Sequence, residues 1–196
     1  GCYPTSAILP LAPLLRRELV ETQGIVVDSK SGVTGAGAKA KDATHFPSVH
    51  ENFRAYGLGT HRHTPEIQGT LSQAAGTEVE LLFTPHLLPI NRGILTTTYS
   101  KPRGQLTPAG LHDQLKDFYK DAPFVLVQDT PPTVQDVRNS NYCRIFATVD
   151  ERTNTVVTVS ALDNLVKGAA GQAMQNMNLM LGFSESLALQ DFPLAP

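Results

Sequence analysis

CRIFATVDERTNTVVTVSAL, residues 143–162, contains two runs rich in β-branched residues on either side of a short polar segment. Such runs are typical of strands, and we predict one strand over 143–149 and a second over 155–162. The polar segment 150–154 has the composition of a hairpin turn. An antiparallel pair is therefore expected here, with Cys143 in the core at its start.

Working outward, further short apolar or β-branched runs predict strands over 24–29, 78–84, 93–99 and 124–127. The second and third of these are expected to be neighbours, joined by the Pro-bounded loop 85–92. Residues 107–121 have helical periodicity, with Thr107 as N-cap and Pro108 at the first position. Residues 129–141 are rich in proline and polar side chains and predict a long loop. These elements favour an α+β fold, a mixed and largely antiparallel sheet with helices on one face.

Two more helices are predicted at the ends of the chain. Residues 6–20 carry an apolar stripe, but Pro10 and Pro13 would each remove a hydrogen bond, so regular helix is expected only from near Pro13. Residues 163–182 predict a long helix. Its apolar stripe consists of Val166, Ala170, Ala173, Met177 and Leu181. Gly168 and Gly171 each cost about 1 kcal/mol relative to alanine inside a helix. They therefore indicate the close approach of another backbone or of a cofactor.

Composition narrows the function classes. The chain has 196 residues, 41% of them hydrophobic, and a formal net charge of −2, which suits one compact domain and gives no sign of a nucleic-acid partner. No apolar run approaches the roughly 20 residues that span a bilayer, and the start lacks the basic residues of a signal peptide. We expect no membrane association and a cytoplasmic location. Cys2 and Cys143 do not make a disulfide framework, and both are expected to be thiols.

Cys2 is the strongest candidate nucleophile, because it lies in Gly1-Cys2-Tyr3-Pro4-Thr5 just before a helical pattern. Unpaired N–H groups and the macrodipole at a helix start stabilise a nearby thiolate. The late helix start expected above would leave Cys2 on a short turn instead. The alternative is a small buried cysteine that only packs.

His61-Arg62-His63-Thr64-Pro65-Glu66 is the second informative stretch. In a strand, His61 and His63 would share one face with Arg62 opposite. Neutral imidazoles there would serve a nucleophilic cysteine as base and acid. A metal site is the alternative, but no third ligand has compelling spacing, and we predict none. Glu66 would orient an imidazole or hold substrate, or else be a helix-capping or surface carboxylate.

Two further features suggest anion binding. The glycine-rich segment 31–37 would let backbone amides approach an anion, unless it is merely a flexible turn. Arg92 has a planar guanidinium that can hold a carboxylate through two hydrogen bonds, or it forms an ordinary surface ion pair. His45 and His50 are predicted to be solvated surface residues.

Four motifs in order along the chain resemble N-acetyl-gamma-glutamyl-phosphate reductase, an enzyme of arginine biosynthesis. They are Gly1-Cys2-Tyr3-Pro4-Thr5, His61-Arg62-His63-Thr64-Pro65-Glu66-Ile67, Phe83-Thr84-Pro85 with Arg92-Gly93-Ile94, and Asp163-Asn164-Leu165-Val166-Lys167-Gly168. The resemblance implies a domain similar to the catalytic domain of the glyceraldehyde-3-phosphate dehydrogenase type. It also implies a homo-oligomer, dimer or tetramer, with the open face of the sheet as the dimer contact.

The resemblance further implies a reaction. N-acetyl-gamma-glutamyl phosphate would be reduced by NADPH to N-acetylglutamate semialdehyde, with Cys2 forming a thioester and releasing phosphate. By the same resemblance, the roles are Cys2 as nucleophile, His61 as acid/base, His63, Arg92, Glu66 and Ser31 as substrate ligands, and Asn164 and Gly32 as cofactor contacts.

The family also carries a dinucleotide-binding domain before its cysteine, and this chain does not include one. We therefore expect residues 1–162 to form the catalytic and dimerisation domain. Residues 163–196, a helix and tail, would pack on the N-terminal domain, which would bind most of the NADP. Two alternatives stay open: a module without reductase activity by itself, or a related semialdehyde dehydrogenase of the aspartate or aminoadipate branch.

Overall fold

The structure is a computed structural model that describes residues 1–190 and 193. Its helices are α1 (Cys2–Arg16), α2 (Phe46–Val49), α3 (Thr64–Ala75), α4 (Pro108–Tyr119) and α5 (Gly171–Met180). Its strands are β1 (Ile25–Gly32), β2 (Arg54–Ala55), β3 (Leu81–Leu88), β4 (Ile94–Ser100), β5 (Val125–Val127), β6 (Cys143–Asp150) and β7 (Thr155–Leu162). A π-helical turn, Val166–Ala170, precedes α5, and 3-10 turns lie at Val33–Ala36, Asp42–Thr44 and Gln135–Val137.

The strands form one seven-stranded sheet in the order β2-β3-β1-β4-β7-β6-β5. The pairs β1/β3 and β5/β6 are parallel and the other pairs are antiparallel, as predicted for a mixed, largely antiparallel sheet. The predicted hairpin is confirmed, with β6 and β7 paired from Cys143↔Leu162 to Asp150↔Thr155. Its partner β4 extends the sheet on the other side of β7.

The prediction that strands 78–84 and 93–99 are neighbours is wrong, because β1 lies between β3 and β4. Strand β3 continues through Pro85 to Leu88, and the segment 89–93 then crosses the end of β1. Backbone bonds hold this crossing, with Val33 N donating to Ile90 O at 2.9 Å and Gly32 N to Gly93 O at 2.9 Å. A Cβ at Gly32 would lie 2.6 Å from Asn91 O, so the crossing needs glycine there.

Helices cover one face of the sheet. Helix α1 packs on β4 and β7 and contacts α3 and α4, while α4 packs on β5 and β6. Alternate residues of β1, β4, β6 and β7 are buried beneath them. Helix α4 has the predicted cap, with Thr107 Oγ1 accepting from Gly110 N at 3.1 Å. No helix in residues 1–190 is long and apolar enough to cross a membrane.

Helix α1 starts much earlier than predicted and contains both Pro10 and Pro13. Proline at position 10 leaves Ser6 O without its intrahelical donor, and Ser160 Oγ donates to that carbonyl at 2.6 Å. Proline at position 13 does the same to Leu9 O, which accepts from Tyr119 Oη at 2.6 Å. Because tertiary hydroxyls supply both missing donors, the helix passes through the prolines.

The C-terminal helix is also different from the prediction. The π-helical turn inserts extra backbone ahead of α5 and changes which side faces inward. Gln175 and Asn178 are buried, whereas Met177 and Leu181 of the predicted stripe are 47% and 61% exposed. The buried amides are satisfied, for example by Gln175 Nε2 donating to Glu185 Oε1 at 2.6 Å. The end of the predicted tail, 191, 192 and 194–196, lies outside the described residues.

Candidate active site

A cavity of about 590 Å³ opens at the N-terminal end of α1. It brings together five of the residues predicted from the sequence, namely Cys2, Ser31, Gly32, His61 and His63. The other lining residues are Tyr3, Gly35, Ala36, Lys41, Ala43, Thr44, Arg54, Tyr56, Arg62 and Leu87. Glu66, Arg92 and Asn164 are not among the lining residues.

Cys2 is the first residue of α1, and not part of a separate short turn. Burial raises the pKa of its thiol. Backbone N–H groups of Tyr3 and Cys2, with the positive charge of Arg62, act in the opposite direction. The thiol therefore needs a proton acceptor before it can act as a nucleophile at neutral pH.

The predicted close approach of another backbone is confirmed at Gly168, where the neighbour is Cys2, whereas Gly171 faces the side chain of Asn141. A Cβ at Gly168 would lie 2.7 Å from Cys2 Cβ, so the π-helical turn rests directly on the candidate nucleophile. A Cβ at Gly171 would overlap Asn141 Oδ1. Both glycines thus allow the C-terminal segment to lie against Cys2 and Asn141 of the preceding part of the chain.

The sequence pattern is compatible with a strand for the segment of the two histidines, and the structure shows that it is not one. His61 and Arg62 lie in a turn and His63 is the N-cap of α3. Pro65 in the first turn of α3 and Glu66 after it are signals of a helix start, and they prevail over the short alternating pattern. The two imidazoles still lie close, with ring centroids 5.2 Å apart.

His63 and Glu66 form a hydrogen-bonded pair beside Cys2. His63 Nδ1 lies 2.7 Å from Glu66 Oε2, and Gly1 N donates to Glu66 Oε1 at 2.6 Å. Burial tends to raise the pKa of Glu66, and the hydrogen bond from His63 acts in the opposite direction. An ionised Glu66 keeps a proton on His63 Nδ1, which leaves Nε2 able to accept one. The His63 ring lies against Gly1, where any Cβ would overlap it.

His61 has the opposite tautomer. Its Nδ1 accepts from the backbone N–H of His63 at 3.2 Å, so in the neutral ring the proton is on Nε2. Burial lowers the pKa of His61, and the nearby charges of His63 and Arg62 lower it further. His61 is therefore suited to donate a hydrogen bond as a neutral imidazole.

Asn164 braces the glycine-rich segment. Its Oδ1 accepts from Gly93 N at 2.7 Å, its Nδ2 donates to Thr34 Oγ1 at 2.9 Å, and the residue is 1% exposed. Ser31 Oγ donates to Gly32 O at 3.1 Å and faces the cavity from the end of β1. The predicted cofactor contact at Asn164 thus belongs to a residue whose polar atoms are already engaged within the domain.

Arg92 is held away from the cavity by the fully buried Asp163, with Arg92 Nη2 at 3.0 Å from Asp163 Oδ2. The cations that line the cavity are Lys41, Arg54 and Arg62. Sequence reasoning missed these three as ligands. Arg62 carried a signal, since it stands between the two candidate histidines, but nothing local distinguished Lys41 or Arg54. Among the described residues, no cluster of His, Cys, Asp and Glu could hold a metal ion, and Cys2 and Cys143 are free thiols.

Curated relatives share much of this sequence. N-acetyl-gamma-glutamyl-phosphate reductase of Geotalea daltonii is 51% identical over 199 residues, covering 100% of this chain and 58% of the relative. The protein of the same name from Pelotomaculum thermopropionicum is 50% identical over 198 residues, covering 100% and 57%. The chain thus spans somewhat more than half the length of these relatives. The names agree with the resemblance that the four motifs carry.

Solved structures share the fold. Aspartate semialdehyde dehydrogenase II from Vibrio cholerae has a TM-score of 0.72 at 16% identity, covering 93% of this chain and 61% of that chain. The enzyme from Francisella tularensis has a TM-score of 0.73 at 16% identity, covering 92% and 63%. At such identity the likeness concerns the fold alone, and it confirms the predicted α+β class. Residues 2–164 match the family described as semialdehyde dehydrogenase, dimerisation domain, and the chain belongs to that family.

Proposed function

We propose that this chain is the catalytic and dimerisation part of an NADPH-dependent reductase of arginine biosynthesis. The enzyme would convert N-acetyl-gamma-glutamyl phosphate to N-acetylglutamate semialdehyde through a thioester on Cys2. The names of the relatives support the substrate. The observation that carries the chemistry is that Cys2, His61 and His63 line one cavity, with Glu66 hydrogen-bonded to His63.

The geometry favours an exchange of the two histidine roles predicted from the sequence. His63 Nε2 would accept the proton of the Cys2 thiol, while Glu66 stabilises the resulting imidazolium. The Cys2 sulfur would then attack the acyl carbon, and the bond from that carbon to the phosphate oxygen would break. His61 would donate a hydrogen bond from Nε2–H to the carbonyl oxygen, where negative charge develops.

The substrate carries a carboxylate and a phosphate, and the cavity offers cations for both. Lys41, Arg54 and Arg62 line it, and Ser31 and Gly32 add a hydroxyl and a close backbone. We propose these cations, in preference to Arg92, as the ligands of the anionic groups, because Arg92 is committed to Asp163. The substrate-binding role of Arg92 stays a prediction without support from this geometry.

The residues that line the cavity do not by themselves form a complete dinucleotide-binding site. A pyrophosphate is usually bound where a glycine-rich turn opens a helix, but the turn after β1 leads only into the short 3-10 segment Val33–Ala36. Asn164 is 1% exposed, and both its polar atoms already form hydrogen bonds within the domain, Oδ1 with Gly93 N and Nδ2 with Thr34 Oγ1. NADP would therefore be bound mainly by a separate N-terminal domain. By itself this chain should bind NADPH very weakly in a calorimetric titration, and tight stoichiometric binding would contradict the assignment.

Cysteine alkylation in the reductase containing this chain would test the histidine roles. His63→Asn should move the alkylation pH profile of Cys2 to higher pH and lower kcat by about 10²–10⁴-fold, because it removes the base. His61→Asn should leave that profile nearly unchanged and still lower kcat, because it removes the hydrogen bond to the carbonyl oxygen. His45→Asn, on the exposed surface, is the control. A profile that moves with His61→Asn and not with His63→Asn would return the base to His61.

The second candidate function for the isolated chain is that of a module without reductase activity by itself. The chain covers only 58% of the length of a relative with the reductase name, which favours this reading. On this reading residues 163–196 would pack on the N-terminal domain. The exposed side chains of that segment agree with such a contact, since Met174, Met177 and Met180 are 38%, 47% and 85% exposed. The acyl phosphates of the aspartate and aminoadipate branches are alternative substrates, and turnover of each by the full enzyme would rank them.

A further inference from the structure

His61 is enclosed by aromatic rings that the mechanism above does not use. Its ring centroid lies 5.6 Å from Tyr3, 5.5 Å from Tyr56 and 5.3 Å from Phe83. All three contacts are edge-to-face, with interplanar angles of 89°, 66° and 83°. Gly57 closes a further side, since a Cβ there would lie 3.3 Å from His61 Cδ2.

The three rings are fixed to each other and to the sheet. Tyr3 Oη donates to His86 O at 3.0 Å, and Tyr56 Oη donates to Tyr3 Oη at 3.1 Å. Tyr3 also packs edge-to-face on Phe83, at 5.4 Å between centroids. Tyr3 comes from α1, Phe83 from β3 and Tyr56 from the segment after β2, so the enclosure is a tertiary feature.

The charged groups that act on His61 are Arg62 and His63, and the carboxylate of Glu66 is bonded to His63 and not to His61. The turn that carries it contributes Arg62 and His63, α1 contributes Cys2 and Tyr3, and the segment after β2 contributes Tyr56. Within residues 1–190, no carboxylate forms a hydrogen bond or an ion pair with His61. An imidazolium at this place would therefore lose part of its solvation, lie beside two other cationic side chains and be deprived of the hydrogen bond from His63 N.

We propose that Tyr3, Tyr56 and Phe83 are positioning residues that hold His61 as a neutral imidazole with its hydrogen on Nε2. The rings cover part of the imidazole and fix its plane, while the His63 amide selects the tautomer. The aromatic enclosure would keep a hydrogen-bond donor aimed at the substrate carbonyl oxygen, and this role rests on the proposed function. The geometry of the enclosure exists independently of any turnover.

NMR titration of the histidine rings in this chain tests the proposal without substrate. The His61 signals, assigned by their loss in His61→Gln, should titrate below the ordinary histidine pKa of about 6.5 and show the Nε2–H tautomer at neutral pH. Phe83→Leu and Tyr56→Leu should each move the His61 pKa upward toward that value, because water reaches the ring. Tyr56→Phe keeps the ring and should change the pKa little. Phe53→Leu, which alters a ring packed at a tilt against His86, should leave the His61 pKa unchanged.

Thermal unfolding of each variant would establish that the fold is retained. If Phe83→Leu does not fold, the His61 pKa in Tyr56→Leu tests the proposal. A His61 that titrates at or above about 6.5 in the unaltered chain would overturn the proposal, and so would a His61 pKa that neither leucine variant changes. Normal NMR behaviour with no reductase activity in the longer protein would count against the proposed function and leave the enclosure standing.

Discussion

Gly168 in the C-terminal segment contacts Cys2, the proposed nucleophile. The π-helical turn approaches so closely that a Cβ at position 168 would lie 2.7 Å from Cys2 Cβ and 3.1 Å from Cys2 Cα. Such distances cannot be accommodated without a backbone shift, because neither Cys2 atom can move independently of α1. The position of the sulfur therefore depends on a residue distant from it in sequence.

Gly168→Ala should displace Cys2 and slow its acylation and alkylation several-fold, with a loss of stability of about 1–3 kcal/mol from overpacking. The matched control is Gly69→Ala in the middle of α3, where no atom lies within 4 Å of the added methyl group. That change should stabilise the protein by roughly 0.5–1 kcal/mol, since alanine favours helix, and leave alkylation unchanged. Chemical denaturation and alkylation kinetics measure both. Equal alkylation rates in the two variants would contradict the steric coupling.

At the scale of elements, α1 shows how a helix survives two interior prolines. Each proline deprives a carbonyl of its intrahelical donor, and buried carbonyls without a partner are costly. Ser160 on β7 and Tyr119 at the end of α4 donate to Ser6 O and Leu9 O. The helix is therefore complete only when the sheet and α4 are in place.

A double-mutant cycle tests this compensation. Ser160→Ala should cost about 1–3 kcal/mol, because it leaves Ser6 O buried and unpaired. In the background of Pro10→Ala the same change should cost much less, since the new N–H at position 10 can donate to Ser6 O. The free energies of unfolding from denaturant titrations give the coupling. Additive effects of the two changes would mean that Ser160 does not replace the proline's missing donor.

For the whole molecule, the uncovered face of the sheet is the surface to explain. Helices cover one side, while the other presents half-buried apolar side chains in register, including Val159 between Thr97 and Phe146 and Val157 between Tyr99 and Thr148. Tyr99 is 40% exposed and Leu82 is 58% exposed on this side. Membership of a dimerisation-domain family supports oligomer formation, and we propose that this face carries the contact between two copies.

Val159→Asp should shift the protein from dimer to monomer in sedimentation experiments, because a carboxylate at the centre of an apolar contact would be buried without a partner. Gln73→Asp adds the same charge on the exposed side of α3 and should leave the oligomeric state unchanged. A dimer that persists in Val159→Asp at low protein concentration would place the contact elsewhere.

The sequence by itself determined the features that depend on local chemistry. The β6–β7 hairpin, the Thr107 cap of α4 and the buried Cys143 followed from β-branched runs, turn residues and a capping signal within a few positions of one another. Cys2, His61 and His63 were recognisable because their residue types and motifs suit nucleophilic chemistry. The α+β class followed from the same short-range patterns.

Tertiary structure decided what depends on partners distant in the chain. The start of α1 depended on donors from Ser160 and Tyr119, and the insertion of β1 between β3 and β4 on non-local pairing. The tautomers of His61 and His63, the commitment of Arg92 to Asp163 and the presence of Arg54 at the cavity depended on neighbours brought together by the fold. Hydrogen-bond and charge partners across such separations leave no local periodicity, and so the sequence pattern could not reveal them.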